Sequence, residues 1–225
     1  MRFLRKPVVL IVMAACILCV RAPVTGADTY LTTQDGLTAQ GTWDASETSI
    51  HGTVSEGTDY AYRYEYTLST GGQGAISHAI FEVRQGVSIF DPVVKENVDG
   101  ASWQDWDGHS EINSHNSGGG NPSMPEAVYG IKFNELSLLD EDIKSAVFAF
   151  ESDGAPGWGD FYAKDGEAGG AGTNEVWNAG FVSPDIDYQA DHVPIATPEP
   201  ATWVLALASG LGCGWIILRK KRRQE

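Results

Sequence analysis

The sequence predicts an all-β fold, an antiparallel β-sandwich of jelly-roll or immunoglobulin-like type, set between an N-terminal signal helix and a C-terminal transmembrane helix. Three observations predict it. Residues 58–70 alternate tyrosines with small, polar or charged residues, the period of a half-buried strand. Further short apolar or alternating runs follow, separated by Gly, Asp, Ser and Asn turn residues. Helical periodicity is weak across the whole central region, so a sheet-on-sheet layering is the expected way to bury its apolar faces.

In residues 58–70, Tyr60, Tyr62, Tyr64, Tyr66 and Leu68 share one face, and Ala61, Arg63, Glu65 and Thr67 the other. Gly71-Gly72-Gln73-Gly74 reads as a turn. Residues 76–84 are the next strand, with Ala79, Phe81 and Val83 on one side and Ile76, His78 and Ile80 on the other. The two runs are expected to form a hairpin or to lie as antiparallel neighbours. Residues 87–90 make a short strand. Residues 95–125 are polar and rich in Gly and Asn, and read as a long surface excursion that carries Trp103 and Trp106. Strands are expected again at 128–133, 146–151, 158–164 and 174–182, with a short helical turn within 136–143. Asp165-Gly166 is a turn dipeptide closing the third of these. Residues 28–184 form the expected folded body and 185–197 an extended linker. There is no internal repeat.

Both ends read as transport addresses. Arg2, Arg5 and Lys6 precede an apolar run over 8–20, and small residues at Thr25 and Ala27 follow. A basic start, a short apolar centre and a small-residue exit make residues 1–27 a secretory signal peptide, with cleavage expected after Ala27. A retained N-terminal anchor and lipidation at Cys16 are the alternatives. At the other end, Pro198-Glu199-Pro200 interrupts regular structure and leaves extended backbone for a processing enzyme to grip. Residues 201–218 are almost wholly apolar, near the lower limit for a bilayer-spanning helix. Arg219, Lys220, Lys221, Arg222 and Arg223 then form a basic cluster that the positive-inside rule keeps in the cytoplasm.

This three-part order over 198–225 resembles the PEP-CTERM sorting signal of Gram-negative and planctomycete bacteria. The resemblance implies recognition by exosortase, a membrane-embedded cysteine protease, and removal or exchange of the tail as the protein reaches the envelope or the extracellular polysaccharide. A plain C-terminal membrane anchor is the alternative. A second resemblance covers most of the body. The segments Tyr64-Glu-Tyr-Thr-Leu68, Ile76-Ser-His78, Tyr129-Gly-Ile-Lys-Phe133, Phe150-Glu-Ser-Asp153, residues 158–166 and Asn178-Ala-Gly-Phe181 are similar, in this order, to a group of PEP-CTERM domain proteins to which no activity is assigned. It implies a shared framework and no binding residues.

The three cysteines, Cys16, Cys19 and Cys213, all fall in the terminal segments, so no disulfide can hold the body together. Of the 15 basic residues nine lie in the termini, and of the 30 acidic ones only Glu199 and Glu225 do. Six basic and 28 acidic residues remain in residues 28–197, body and linker together, a formal charge of −22. Such a surface repels nucleic acid and favours solubility and divalent cations.

Candidate ligand residues cluster in the excursion. Trp103, Asp105, Trp106, Asp107 and Glu111 surround Gly108, and bendable carboxylate-rich loops suit calcium. An EF-hand is not matched: Trp103 stands at the first ligand position and Ser114 at the twelfth. Trp103, Trp106, Trp158 and Trp177 are candidate platforms for sugar rings, with Asp105, Asp107, Asn113 and Asn116 as hydroxyl partners. His78, inside an apolar run, reads as a structural histidine. No nucleophile elbow, zinc-protease helix or phosphate loop is present, and the body has no cysteine nucleophile. The expectation is therefore a non-catalytic protein of the envelope or extracellular matrix, with calcium as the one conceivable cofactor. The expected partners are the secretion machinery, an exosortase-type enzyme and the bacterial membrane, with no nucleic acid. The alternative is a carbohydrate- or calcium-binding module of the extracellular polysaccharide.

Overall fold

The tyrosine alternation becomes strand β4 (Tyr62–Ser69), with Tyr64, Tyr66 and Leu68 completely buried. The computed structural model describes residues 27–44, 47–118, 120–166, 173–182 and 191–198. The expected signal peptide up to residue 26, the apolar run at 201–218 and the basic cluster at 219–223 lie outside them.

Fourteen strands make up the described body. They are β1 (Asp28–Thr32), β2 (Leu37–Gln40), β3 (Ser49–Glu56), β4, β5 (Ile76–Glu82), β6 (Ile89–Glu96), β7 (Gln104–Asp105), β8 (Ser110–His115), β9 (Val128–Phe133), β10 (Ser145–Ser152), β11 (Ala155–Gly159), β12 (Phe161–Asp165), β13 (Glu175–Asn178) and β14 (Val193–Thr197). One antiparallel sheet runs β1-β3-β4-β10-β6-β7, the other β2-β13-β12-β5-β9-β8, and β11 pairs with β14 as a separate ribbon. The fold is all-β and antiparallel, with the two large sheets sharing one core. Among the described residues no helix is long and apolar enough to cross a membrane.

Register builds the core. Tyr64 faces Val54 on β3 and Phe150 on β10, while Leu68 faces Ile50 and Ala146, so one face of the first sheet is continuously apolar. In the second sheet Phe81 lies between Phe161 and Ile131, and Ala79 between Ala163 and Phe133. The two layers meet where Tyr66 stacks on Phe81 with ring centroids 4.0 Å apart. Both buried tyrosines satisfy their hydroxyls, Tyr64 donating to the Gly154 carbonyl at 2.8 Å and Tyr66 to the Pro194 carbonyl at 2.6 Å. Burial pushes the pKa of both phenols up, so they remain neutral donors. At Gly130 a side chain would meet the Phe81 carbonyl oxygen at 2.5 Å, so the close pairing of β9 with β5 requires glycine there.

Four expectations change. First, residues 58–70 and 76–84 are not hairpin partners: β4 sits between β3 and β10, β5 between β9 and β12, and Gly71–Gly74 carries the chain from sheet to sheet. Alternation specifies the buried face of a strand, not its neighbours, and Tyr66 and Phe81 meet face to face across the core. Second, residues 158–164 are not one strand. The chain turns at Asp160, β11 joins β14, and β12 enters the second sheet. The Asp160 N–H donates to Glu82 Oε2 at 3.0 Å and the Phe161 N–H to Asn178 Oδ1 at 2.9 Å, which supports the turn. Third, the expected linker 185–197 ends in core structure, because β14 buries Val193, Ile195 and Ala196 completely. Fourth, the excursion 95–125 contains β7, β8 and the end of β6, and it buries Trp106, Asn121 and Met124. Residues 28–56, which carry no clear alternation, supply β1 to β3.

Glu151 shows how a buried charge is used to hold a loop. Its Oε1 accepts the Thr58 N–H at 2.9 Å, and its Oε2 accepts those of Asp59 at 3.0 Å and Tyr60 at 3.1 Å. Burial acts to raise its pKa, but these donors outweigh it and hold the carboxyl below its ordinary value. A glutamine offers one acceptor oxygen in place of two. Glu151→Gln should therefore cost about 2 kcal/mol at pH 7. Because the folded pKa is depressed, this contribution is complete above the unfolded value near ~4.3 and is lost as pH falls through the folded value. Urea midpoints of the two proteins should converge on acidification, and a gap that persists at pH 2 would show that charge is not the cause.

Candidate functional site

The segment that carries the candidate ligand residues bridges the two sheets. β7 extends the edge of β6, with Asp105 opposite Val93, and β8 extends the edge of β9, with Glu111 opposite Lys132. Trp106 and the 3-10 turn Asp107–His109 make the crossing. Trp106 is 2% exposed, and its indole N–H donates to the Asn134 carbonyl at 2.8 Å. It is a core residue beneath the crossing between the two sheet edges, and its buried ring offers no platform to a ligand.

Trp103 lies three residues away and is 37% exposed. Its ring is not bare. The Arg63 guanidinium lies 4.8 Å and the Lys95 ammonium 4.5 Å from the ring centroid. These are two of only six basic residues in the body. A sugar stacking on this ring competes with cation–π contacts already made.

Asp105 and Asp107 do come together. They line a groove of about 370 Å³ with Ile89, Phe90, Asp91, Pro92 and Val93. Asp105 Oδ1 accepts the Asp107 N–H at 3.0 Å. Asp91 has φ 49°, the left-handed region, within the irregular pairing of β6 with β10. That backbone costs an L-residue about 1–2 kcal/mol. Glu111 is elsewhere: its carboxylate accepts Asn113 at 3.2 Å and Asn134 at 3.3 Å on the edge of the second sheet. Asn113 and Asn116 are exposed, Trp158 is half-buried opposite Pro194, and Trp177 is 9% exposed in an apolar cluster with Ile80, Met124 and Tyr162. Among the described residues no group of three or more His, Cys, Asp or Glu is placed to hold a metal ion.

The chain matches no family model, no curated protein and no solved structure.

Of the transport residues, Ala27 and Pro198 are described; Glu199, Pro200 and the basic cluster from Arg219 to Arg223 lie outside. Ala27 packs against the core, and its carbonyl accepts the Val54 N–H at 2.9 Å. Pro198 directly follows β14.

Two polar clusters carry no signal in the linear sequence. In the first, the His192 ring is 1% exposed, with Nδ1 2.8 Å from Asp191 Oδ1 and Nε2 3.7 Å from Asp160 Oδ1. Asn178 donates to Asp160 Oδ1 and to the Asp191 carbonyl, both at 2.9 Å, and Arg84 pairs with Glu82 at 2.9 Å. Burial raises the pKa of both Glu82 and Asp160. The cluster ties β5, β12, β13 and the start of β14 into one unit. The second cluster covers the outer face of the second sheet. His78 is hydrogen-bonded through Nε2 to Asn121 Oδ1 at 2.9 Å, beneath the loop that follows β8. Lys164 stands between His78 and Glu175 in cross-strand register. All three are at least nine-tenths buried. Residues dispersed over nearly a hundred positions, from His78 to Glu175, meet here, so no local spacing marks the cluster.

Proposed function

We propose that this chain is an exported, non-catalytic cell-envelope or extracellular-matrix protein, sorted by an exosortase-type membrane-embedded cysteine protease. Its acidic body, a sandwich of jelly-roll or immunoglobulin-like type, is held outside the cytoplasmic membrane by an apolar helix over 201–218 until the tail is processed. The observation that carries this reading is the order Pro198-Glu199-Pro200, apolar run, basic cluster Arg219 to Arg223, in a chain whose residues 1–27 place Arg2, Arg5 and Lys6 before an apolar run over 8–20. The body itself supports a presenting role. It is stabilised by an aromatic core in place of disulfides, and its excess of acids keeps it soluble and away from nucleic acid.

The test is cell fractionation of the full chain beside a chain lacking residues 198–225. The full chain should leave the cytosol and collect in the envelope or matrix, and the deletion should shift it to another fraction. An unchanged distribution, or a cytosolic full chain that keeps residues 1–27, would overturn the reading.

One observation favours a second reading, a carbohydrate-binding module: the groove beside Phe90, with Asp91, Asp105 and Asp107 in its wall. Thermal melts with an oligosaccharide panel, with calcium and with EDTA separate the two readings, since a ligand of the native state raises the melting temperature. A rise with a sugar would establish binding. No shift in any condition leaves presentation as the role.

A further inference from the structure

On its outer face the second sheet packs Ile80, Tyr162 and Trp177 against Met124. Four polar side chains are buried beside them. Lys164 on β12 stands opposite His78 on β5 and opposite Glu175 on β13, so the three share that face. His78 is 6%, Lys164 5% and Glu175 1% exposed. The fourth is Asn121, in the loop that follows β8, also 6% exposed. Its Oδ1 lies 2.9 Å from His78 Nε2, and its Nδ2 donates to the Asn116 carbonyl at 3.2 Å. The second bond fixes the amide with its oxygen toward the ring. The Asn121 N–H donates to the Gly118 carbonyl at 2.7 Å, which holds this part of the loop in place. Neither oxygen of Glu175 has a hydrogen-bond partner, and neither does the Tyr162 hydroxyl. A carboxylate at this depth without a donor is costly, and such a group is retained where its spare acceptor capacity has a task.

We propose that this cluster forms an intramolecular amide between Lys164 Nζ and Asn121 Cγ, a covalent staple in a body that has no cysteine. Glu175 accepts the first proton from the Lys164 ammonium. The freed amine attacks the Asn121 carboxamide carbon, and His78 Nε2–H, already donating to Oδ1, stabilises the negative charge that develops on that oxygen. The Cγ–Nδ2 bond then breaks. The second Nζ proton and the one held by Glu175 pass to Nδ2, which leaves as ammonium, and Glu175 returns to its carboxylate. Nothing is oxidised or reduced, and no co-reactant is consumed. Folding supplies the rest: it holds amine and amide in one small space and keeps out the water that would compete for the carbonyl. The bond joins β12 to a loop far upstream, and a link that closes a long loop restrains the unfolded chain. It also locks that loop over Tyr162 and Trp177. The inference is independent of where the chain is sorted, since it concerns the body alone.

The experiment uses the full chain, purified folded in detergent, then reduced, digested and mapped by mass spectrometry. A branched peptide should join the segments that hold Asn121 and Lys164, lighter than their sum by one ammonia. Lys164→Arg keeps the positive charge and cannot form the amide, so its map should lack the branched peptide and its melting temperature should fall. Glu175→Gln keeps both joined residues and removes the proton acceptor, so linkage after refolding should slow at least ~100-fold. Separate, unmodified Asn121 and Lys164 peptides from the folded wild type would overturn the proposal. So would a link through Lys132, which lies on the same face opposite Glu111 and is only partly buried. If Glu175→Gln does not fold, the wild-type map alone decides. If it folds and links at the wild-type rate, the role given to Glu175 is refuted.

Discussion

Phe81→Ala should lower the free energy of unfolding by about 3–5 kcal/mol. Phe81 is fully buried in β5 and its ring contacts rings of both layers. Its centroid lies 4.0 Å from Tyr66 and 5.4 Å from Phe148 in the opposite sheet, and 6.0 Å from Phe133 in its own. Truncation removes the transfer free energy of the ring and leaves a cavity. The cavity cannot collapse readily, because its walls are stiff rings held in register by strands on both sides. Phe81→Leu, which refills much of the space, should cost about half as much. Guanidinium unfolding of the three proteins measures both values. A loss under about 1 kcal/mol for Phe81→Ala would mean that the sheets are joined elsewhere.

Acidification is the second large lever. Between pH 6.5 and pH 4 the body should lose up to about 3 kcal/mol of stability through His78 alone. Burial beneath the loop that follows β8 is the main cause that lowers its pKa to about 3. Lys132 acts in the same direction, as do Lys164 and His115, whereas the hydrogen bond to Asn121 opposes them. A histidine with a depressed folded pKa keeps its full contribution above the unfolded value near ~6.5 and loses it as pH falls toward the folded one. His115, also lowered by burial, adds to the loss. Glu82 and Asp160 act against it, since carboxyls raised by burial favour the folded state when they protonate. Melting temperatures from pH 7 to pH 4 test the balance. The wild type should fall steadily, and His78→Gln, which keeps a donor for Asn121 and cannot ionise, should fall less. Parallel profiles would remove His78 as the cause.

Legibility in this chain followed the range of the physics. β9 could be read from its six residues because alternation and flanking turn residues are local. The same holds for the buried face of β4, where a period of two needs no partner to be recognised. Trp103 and Trp106 could not be told apart. They lie three residues from each other with similar neighbours, yet one rests on the outside of the first sheet and the other closes the core. Their difference comes from a chain crossing between two sheet edges, which neither residue encodes alone. The Glu82–Asp160–His192 cluster was equally invisible, since its members come from three strand ends widely separated in sequence.

From the sequence by itself came the all-β class, the faces of the clearest strands, the disulfide-free acidic body and the expectation of two transport addresses. Each depends on composition or on contacts within a few residues. Only the tertiary structure decided that β4 and β5 belong to opposite sheets, that Trp106 is core, and that the stretch before Pro198 is a strand and not a tether. Those outcomes depend on which distant surfaces bury one another. Val193, Ile195 and Ala196 make a strand because Tyr66, Arg84 and β11 await them with unpaired donors and an uncovered apolar face, and nothing within five residues of β14 records that.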